Sequence, residues 1–168
     1  MTIGAHSFIR RPFKDPYKVE VVVGKYTSIA AWLRIVDVAH PSLSDRKLVS
    51  NYAFNEDLGC PDYPNNKALG KITIGNDVLI GAYCILTAGI TIGDGAIIKA
   101  GSRVSVDVPP YAVMDGNTIQ GYRFNKETRE MMLGIKWWDW PDNVVKGRMH
   151  LFKDHWYFKE LFAKREGN

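Results

Sequence analysis

Four histidines, His6, His40, His150 and His155, are the side chains best suited to move a proton near neutral pH. An imidazole with a pKa near about 6.5 takes a hydroxyl proton while the oxygen attacks an acyl carbon. Zinc hydration needs three histidine ligands around an open position. Only His6 and His40 precede the C-terminal tail, so a three-histidine site is not expected and no metal is implied. No Ser-His-Asp arrangement is visible either. Acyl transfer from a thioester asks for less: a base, a binding groove and N–H donors for the developing oxyanion. His40 is the candidate base for that chemistry, and the reason lies in the elements around it.

Those elements repeat. Ile74, Ile80, Leu86, Ile92, Ile98 and Val104 are aliphatic and six residues apart. Gly75, Gly81 and Gly93 follow three of them, and Val78, Cys84, Ile90, Ala96 and Ser102 stand four residues after. A fixed hexapeptide period is the signature of a parallel β-helix, in which three repeats wind once around a triangular prism. Both sets are expected to point inward, with coils about 4.8 Å apart and glycines easing unusual backbone angles at the corners. The register returns upstream at Val23, Ile29 and Ile35, with Thr27, Leu33 and Ala39 at the small position. Its spacing to Ile74 is not a multiple of six, so the segment Pro41 to Leu69 is expected to leave the prism and come back. Long excursions of this kind are usually functional. His40 stands where the chain departs, between Ala39 and Pro41, anchored on a rigid coil beside a loop that can shape a pocket. Ile3-Gly4 and Ile9 suggest a degenerate first coil, interrupted by a basic loop from Arg10 to Lys18.

Past Tyr111 the pattern becomes helical. Asn125 can cap a helix that runs to about Leu133 and ends at Gly134. Pro141 suits the first turn of a second helix. Tyr157, Phe158, Leu161 and Phe162 fall at helical spacing in a third. Trp137, Trp138 and Trp140 read as packing anchors. The expected fold is thus mainly β: a left-handed parallel β-helix over residues 1–115, with an excursion loop at 41–70, and a helical tail over 116–168.

The 168 residues suffice to bury a core and carry a net charge of +4. The basic residues are scattered, and no nucleic-acid-binding signature accompanies them. Cys84, at an inward position, is expected to be a buried spacer, and Cys60 lies in the excursion. No apolar run reaches membrane-spanning length and no leader pattern opens the chain, so a cytoplasmic protein is expected. A prism with flat faces and a small tail suggests a closed oligomer.

Taken in order, Gly24-Lys25-Tyr26-Thr27-Ser28-Ile29, His40, Val49-Ser50-Asn51-Tyr52-Ala53-Phe54, Ile74-Gly75-Asn76-Asp77-Val78, Ile92-Gly93-Asp94-Gly95-Ala96 and Ile135-Lys136-Trp137-Trp138-Asp139-Trp140-Pro141 resemble the xenobiotic acetyltransferases of the hexapeptide superfamily. That group contains the type B chloramphenicol and streptogramin acetyltransferases, and related sequences acetylate saccharides. The resemblance covers about residues 20 to 145, and the tryptophan-rich block is its most specific part. It implies a homotrimer that binds acetyl-CoA between neighbouring prisms, with His40 matching the histidine that deprotonates an acceptor hydroxyl. It also implies that Ala82 and Ala100 touch the coenzyme at corners one coil apart, that Ser105 adds a small polar contact, and that Arg123 meets a phosphate.

The chain departs from the pattern in several places. Leu79 replaces a usual tryptophan and is expected, with Tyr52, to line the acceptor pocket. Val106, Gln120 and Thr118 stand where a lysine, a second arginine and a proline are common, and Arg103 or Lys126 can compensate for the missing charge. The resemblance implies an acetyl-CoA-dependent O-acetyltransferase acting on an antibiotic or a saccharide. Amino-sugar N-acetylation and a non-catalytic β-helix scaffold are the alternatives.

Overall fold

The computed structural model describes residues 1–39, 49–50, 52, 67–153 and 158. They form two compact units, Met1–Gly121 and Tyr122–Asn168. The first is the prism. Its opening coil runs through β1 (Thr2–Ile3), β2 (Phe8–Ile9) and β3 (Phe13–Lys14), and its second through β4 (Val21–Val23), β5 (Ser28–Ile29) and β6 (Leu33–Val36). After an interruption come β9 (Ile72–Ile74), β10 (Leu79–Ile80) and β11 (Ile85–Thr87), then β12 (Thr91–Ile92), β13 (Ile97–Ile98) and β14 (Arg103–Val104), with β15 (Ala112–Asp115) and β16 (Thr118–Tyr122) last.

Each coil adds one strand to each of three faces. Face A is β1-β4-β9-β12, face B is β16-β15-β13-β10-β5-β2, and face C is β14-β11-β6-β3. Pairing between coils is parallel and in register, as in Ile29 with Ile80 and Ile80 with Ile98. The period predicts this core, and all six downstream aliphatics from Ile74 to Val104 are at most 1% exposed. Val78, Cys84, Ile90, Ala96 and Ser102 are buried with them. Burial of an isoleucine or leucine contributes about 1.5–3 kcal/mol, so these stacked columns dominate the stability of the prism.

Two expectations need correction. Arg10 to Lys18 is not simply a loop, because Phe13–Lys14 pairs with Leu33–Arg34 and completes a full first coil. Charged residues lie on both sides of Phe13, which packs against the core, so a strand hides in a basic stretch. The corner glycines also work differently. The left-handed backbone falls two residues after Gly75, Gly81 and Gly93, at Asp77, Tyr83 and Gly95, and upstream at Tyr26 and Trp32. Gly81 is needed instead for close approach: a Cβ there would lie 2.6 Å from the Cα of Ala100.

The excursion leaves and returns through one neck. β7 (Val38–Ala39) pairs antiparallel with β8 (Lys67–Ala68). Asp37 closes its base, its carboxylate accepting the N–H groups of Leu69 at 3.0 Å and Gly70 at 3.3 Å.

In the second unit, α1 (Lys126–Ile135) starts at Asn125, whose side chain accepts the Thr128 N–H at 2.9 Å. It ends one residue past the expected Gly134, where Lys136 takes the left-handed cap (φ 45°). The next helix, α2 (Asp142–Arg148), has Pro141 at its cap rather than inside its first turn. Trp137 and Trp138 are buried, and Trp140 stacks on Phe158 with centroids 6.2 Å apart. The other residues expected in a third helix, Tyr157, Leu161 and Phe162, lie outside the described residues.

Candidate active site

Two corners of the prism treat their backbone differently. Between faces A and B, side chains cap the outward N–H groups. Asn76 Oδ1 accepts the Lys25 N–H at 2.8 Å, and Asp94 Oδ1 accepts the Asn76 N–H at 2.7 Å and its side-chain amide at 2.8 Å. The Thr27 hydroxyl extends the ladder, donating to the Gly75 carbonyl at 2.8 Å and accepting the Val78 N–H at 3.2 Å. Between faces B and C the corresponding residues are Ala31, Ala82 and Ala100, and alanine cannot cap a neighbour. Their carbonyls are used: Ala31 accepts from Tyr83 at 3.1 Å and Ala82 from Gly101 at 2.8 Å. Their N–H groups have no acceptor among the described residues. Three successive coils therefore present open N–H donors along one edge. Such a row can hold the amide carbonyls of an extended ligand and polarise an acyl oxygen.

The expected site residues are distributed as follows. Ala82 and Ala100 meet at this edge, in successive coils, because the eighteen-residue offset pairs Leu79 with Ile97 and Ile80 with Ile98. Leu79 points outward from face B and is 46% exposed, three residues before Ala82. Ser105 lies in the same coil as Ala100. Its N–H donates to Asn117 Oδ1 at 2.8 Å, and its hydroxyl accepts from Asn117 Nδ2 at 3.0 Å. Asn117, a partner that the repeat does not mark, fixes Ser105. Arg123 belongs to the second unit, where its guanidinium lies 5.2 Å from the centre of the Phe124 ring. Tyr52 is about half exposed and its N–H donates to Ser50 Oγ at 3.1 Å. His40 lies outside the described residues; the strand that ends at Ala39 carries the chain to it.

Cys84 is fully buried, and its thiol donates to the Lys99 carbonyl at 3.2 Å. Burial pushes its pKa up, opposed by the backbone N–H groups of Ser102 and Gly101. It is a spacer of the core and not a nucleophile. Lys99, next to Ala100, pairs with Asp115 at 3.1 Å. This exposed pair contributes little to stability but sets a cation beside the open edge.

The sequence reading passed over the aromatics of this corner. Trp32 and Tyr83, each following an open alanine, stack with centroids 5.8 Å apart and planes 4° from parallel. They are 47% and 64% exposed. Neither falls on the hexapeptide register, which reports only inward positions.

Known proteins share the architecture of the prism. The family described as bacterial transferase hexapeptide (six repeats) matches residues 71–105. A chloramphenicol acetyltransferase of Agrobacterium fabrum is 35% identical over 158 residues, covering 87% of this chain and 74% of that protein. A probable macrolide acetyltransferase of Lysinibacillus sphaericus is 30% identical over 153 residues, covering 86% and 83%. Among solved structures, a maltose O-acetyltransferase from Clostridium difficile superposes with a TM-score of 0.57 at 26% identity, covering 73% of this chain and 59% of that one. The fold they share is the left-handed parallel β-helix.

Proposed function

The chain belongs to the hexapeptide-repeat acyltransferases, and on that premise we propose that it transfers an acetyl group from acetyl-CoA to a hydroxyl of a small acceptor, an antibiotic or a saccharide. The observation that carries this reading is the open edge at Ala82 and Ala100, whose N–H groups have no acceptor among the described residues. The pantetheine arm lies along that edge, with its phosphates toward Ser105; Arg123 stands as a phosphate contact on the family resemblance alone. His40 accepts the acceptor's hydroxyl proton while the oxygen attacks the thioester carbon. The tetrahedral oxyanion draws on backbone N–H donors, and the coenzyme thiolate leaves with the proton that His40 returns. No covalent acyl-enzyme forms and no metal takes part. Leu79 and Tyr52 line the acceptor pocket, which is completed in a cytoplasmic homotrimer by the adjoining prism.

The test is thiol release from acetyl-CoA against a panel of hydroxylated antibiotics and sugars. His40→Ala is expected to lower kcat by about 10²–10⁴ while CoA still binds in calorimetry. Turnover near wild type in that variant, or no CoA binding by the wild-type protein into the millimolar range, refutes the assignment.

A further inference from the structure

Face C carries a column of cations, of which only Arg103, able to compensate for the missing phosphate-binding charge, has a role in the reaction just described. Outward positions in register across its strands are Lys14, Arg34, Ile85 and Arg103. None of the three cations has an ion pair or a side-chain hydrogen bond among the described residues. Lys14 stands directly opposite Arg34, and like charges placed this way destabilise a sheet. A cleft of about 410 Å³ opens at that pair, lined by Lys14, Asp15, Pro16 and Arg34. Lys14 and Arg34 outnumber Asp15, the one carboxylate in this lining, so the cleft is net positive and suits an anion.

The aromatic corner adjoins this column. Trp32 precedes Arg34 by two residues, as Tyr83 precedes Ile85 and Gly101 precedes Arg103. Trp32 covers one face of the Tyr83 ring. On the other side the next rung is Gly101, where a Cβ would meet nothing within 4 Å. The corner between faces A and B supplies the contrast, because there the Tyr111 ring packs against the corresponding Gly95. At that corner a ring of the chain itself covers the glycine, whereas at this one the glycine is left open.

We propose that this edge binds a phosphorylated ring, the ring lying on Tyr83 over Gly101 and the phosphate between Arg34 and Arg103, with Lys14 alongside. Arg34 and Arg103 are two strand spacings apart, about 10 Å, a gap that two arginine side chains close around one phosphate. The identity of this ligand as the acceptor rests on the acetyl-transfer reading. With the coenzyme along Ala82 and Ala100 and its phosphates toward Ser105, the thioester end lies at Ala82, between Leu79 on one side of the corner and Tyr83 on the other, so a ring stacked on Tyr83 is the group to be acetylated. The acceptor is then a sugar phosphate or a nucleotide-bearing sugar rather than a neutral antibiotic.

Calorimetry on the full chain tests this with three probes: 4-nitrophenyl phosphate, 4-nitrophenyl β-galactoside as an uncharged ring, and CoA. 4-Nitrophenyl phosphate is expected to bind more tightly than the galactoside. Its affinity should fall about tenfold in Tyr83→Ala, recover in Tyr83→Phe, and fall together with its salt dependence in Arg34→Ala. CoA should bind Arg34→Ala as it binds the wild type, and the phosphate probe and CoA should bind together. Equal affinity for the charged and uncharged rings, or an unchanged affinity in both Tyr83→Ala and Arg34→Ala, overturns the site. Competition between CoA and the phosphate probe, with CoA weakened in Arg34→Ala, overturns the acceptor assignment and makes this the coenzyme's nucleotide pocket. Failure of the acetyl-transfer reading shows itself separately, as absence of CoA binding to the wild-type protein.

Discussion

Gly81→Ala should damage the prism and its open edge together, and the structure sets the scale. The added Cβ would lie 2.6 Å from the Cα of Ala100 and 2.9 Å from the carbonyl carbon of Lys99, with the Ala100 nitrogen nearer still. Carbon atoms pack at about 3.5–4.0 Å, so the two coils must part by about 1 Å at this corner. Two hydrogen bonds cross there, Gly81 N–H to the Ile98 carbonyl and Gly101 N–H to the Ala82 carbonyl, each 2.8 Å. Parting the coils takes both out of hydrogen-bonding range, at about 0.5–1.5 kcal/mol each. Overpacking adds about 1–3 kcal/mol, for a total of about 2–6 kcal/mol. Gly101→Ala is the control: its Cβ has open space, and the positive φ of 76° alone is costly, at about 1–2 kcal/mol. Urea denaturation with shared slopes compares the midpoints, and CoA calorimetry reports the spacing of the Ala82 and Ala100 amides. Gly81→Ala should lose more stability than Gly101→Ala, and CoA affinity with it. Equal midpoints, or wild-type CoA affinity in Gly81→Ala, refute the close-packing account of this corner.

Other outcomes follow from single contacts. The raised Cys84 pKa means that the folded state keeps its proton where the unfolded thiol loses it. Stability should therefore be intact below about pH 8.5 and fall as pH rises through the folded pKa; urea midpoints against pH should show this component in the wild type and lack it in Cys84→Ala. In a Cys60→Ser background, native Cys84 should react with iodoacetamide far more slowly than in urea. Asn125→Ala removes the acceptor of the Thr128 N–H and should cost about 1 kcal/mol, read as a lower thermal midpoint.

The core was legible because its rule is strict: Ile80 and Ile98 must stack, so an inward residue recurs every six. Residues on the outside obey no such rule. Lys14 and Arg34 are twenty residues apart in the chain and adjacent in the sheet, and only the length of the first coil brings them together. Phe13 was hidden by its charged neighbours for the same reason. The left-handed residues at Tyr83 and Trp32 were missed because glycine is the usual marker of that conformation, and two aromatics took it here. In the tail, Gly134 is the obvious stop by residue type, yet the chain turns at Lys136. As for the site, it is the family resemblance that names Ala82 and Ala100 in advance, and the eighteen-residue offset adds only that they lie one coil apart. That their N–H groups stay open follows from what Asn76 and Asp94 do at the other corner, a comparison that needs both corners in three dimensions.

The neck at Asp37, Val38–Ala39 and Lys67–Ala68 has an evolutionary consequence. Because the segment it bounds enters and leaves at one point, its length is uncoupled from the winding of the prism. Lengthening a closed loop is cheap, about 0.6 kcal/mol per doubling, whereas inserting one residue into a coil would put Ile80 out of step with Ile29 and Ile98. Selection can therefore exchange the segment as a cassette while the rack of coils stays fixed. Chains that share this prism are free to diverge in what they recognise long before they diverge in how they fold.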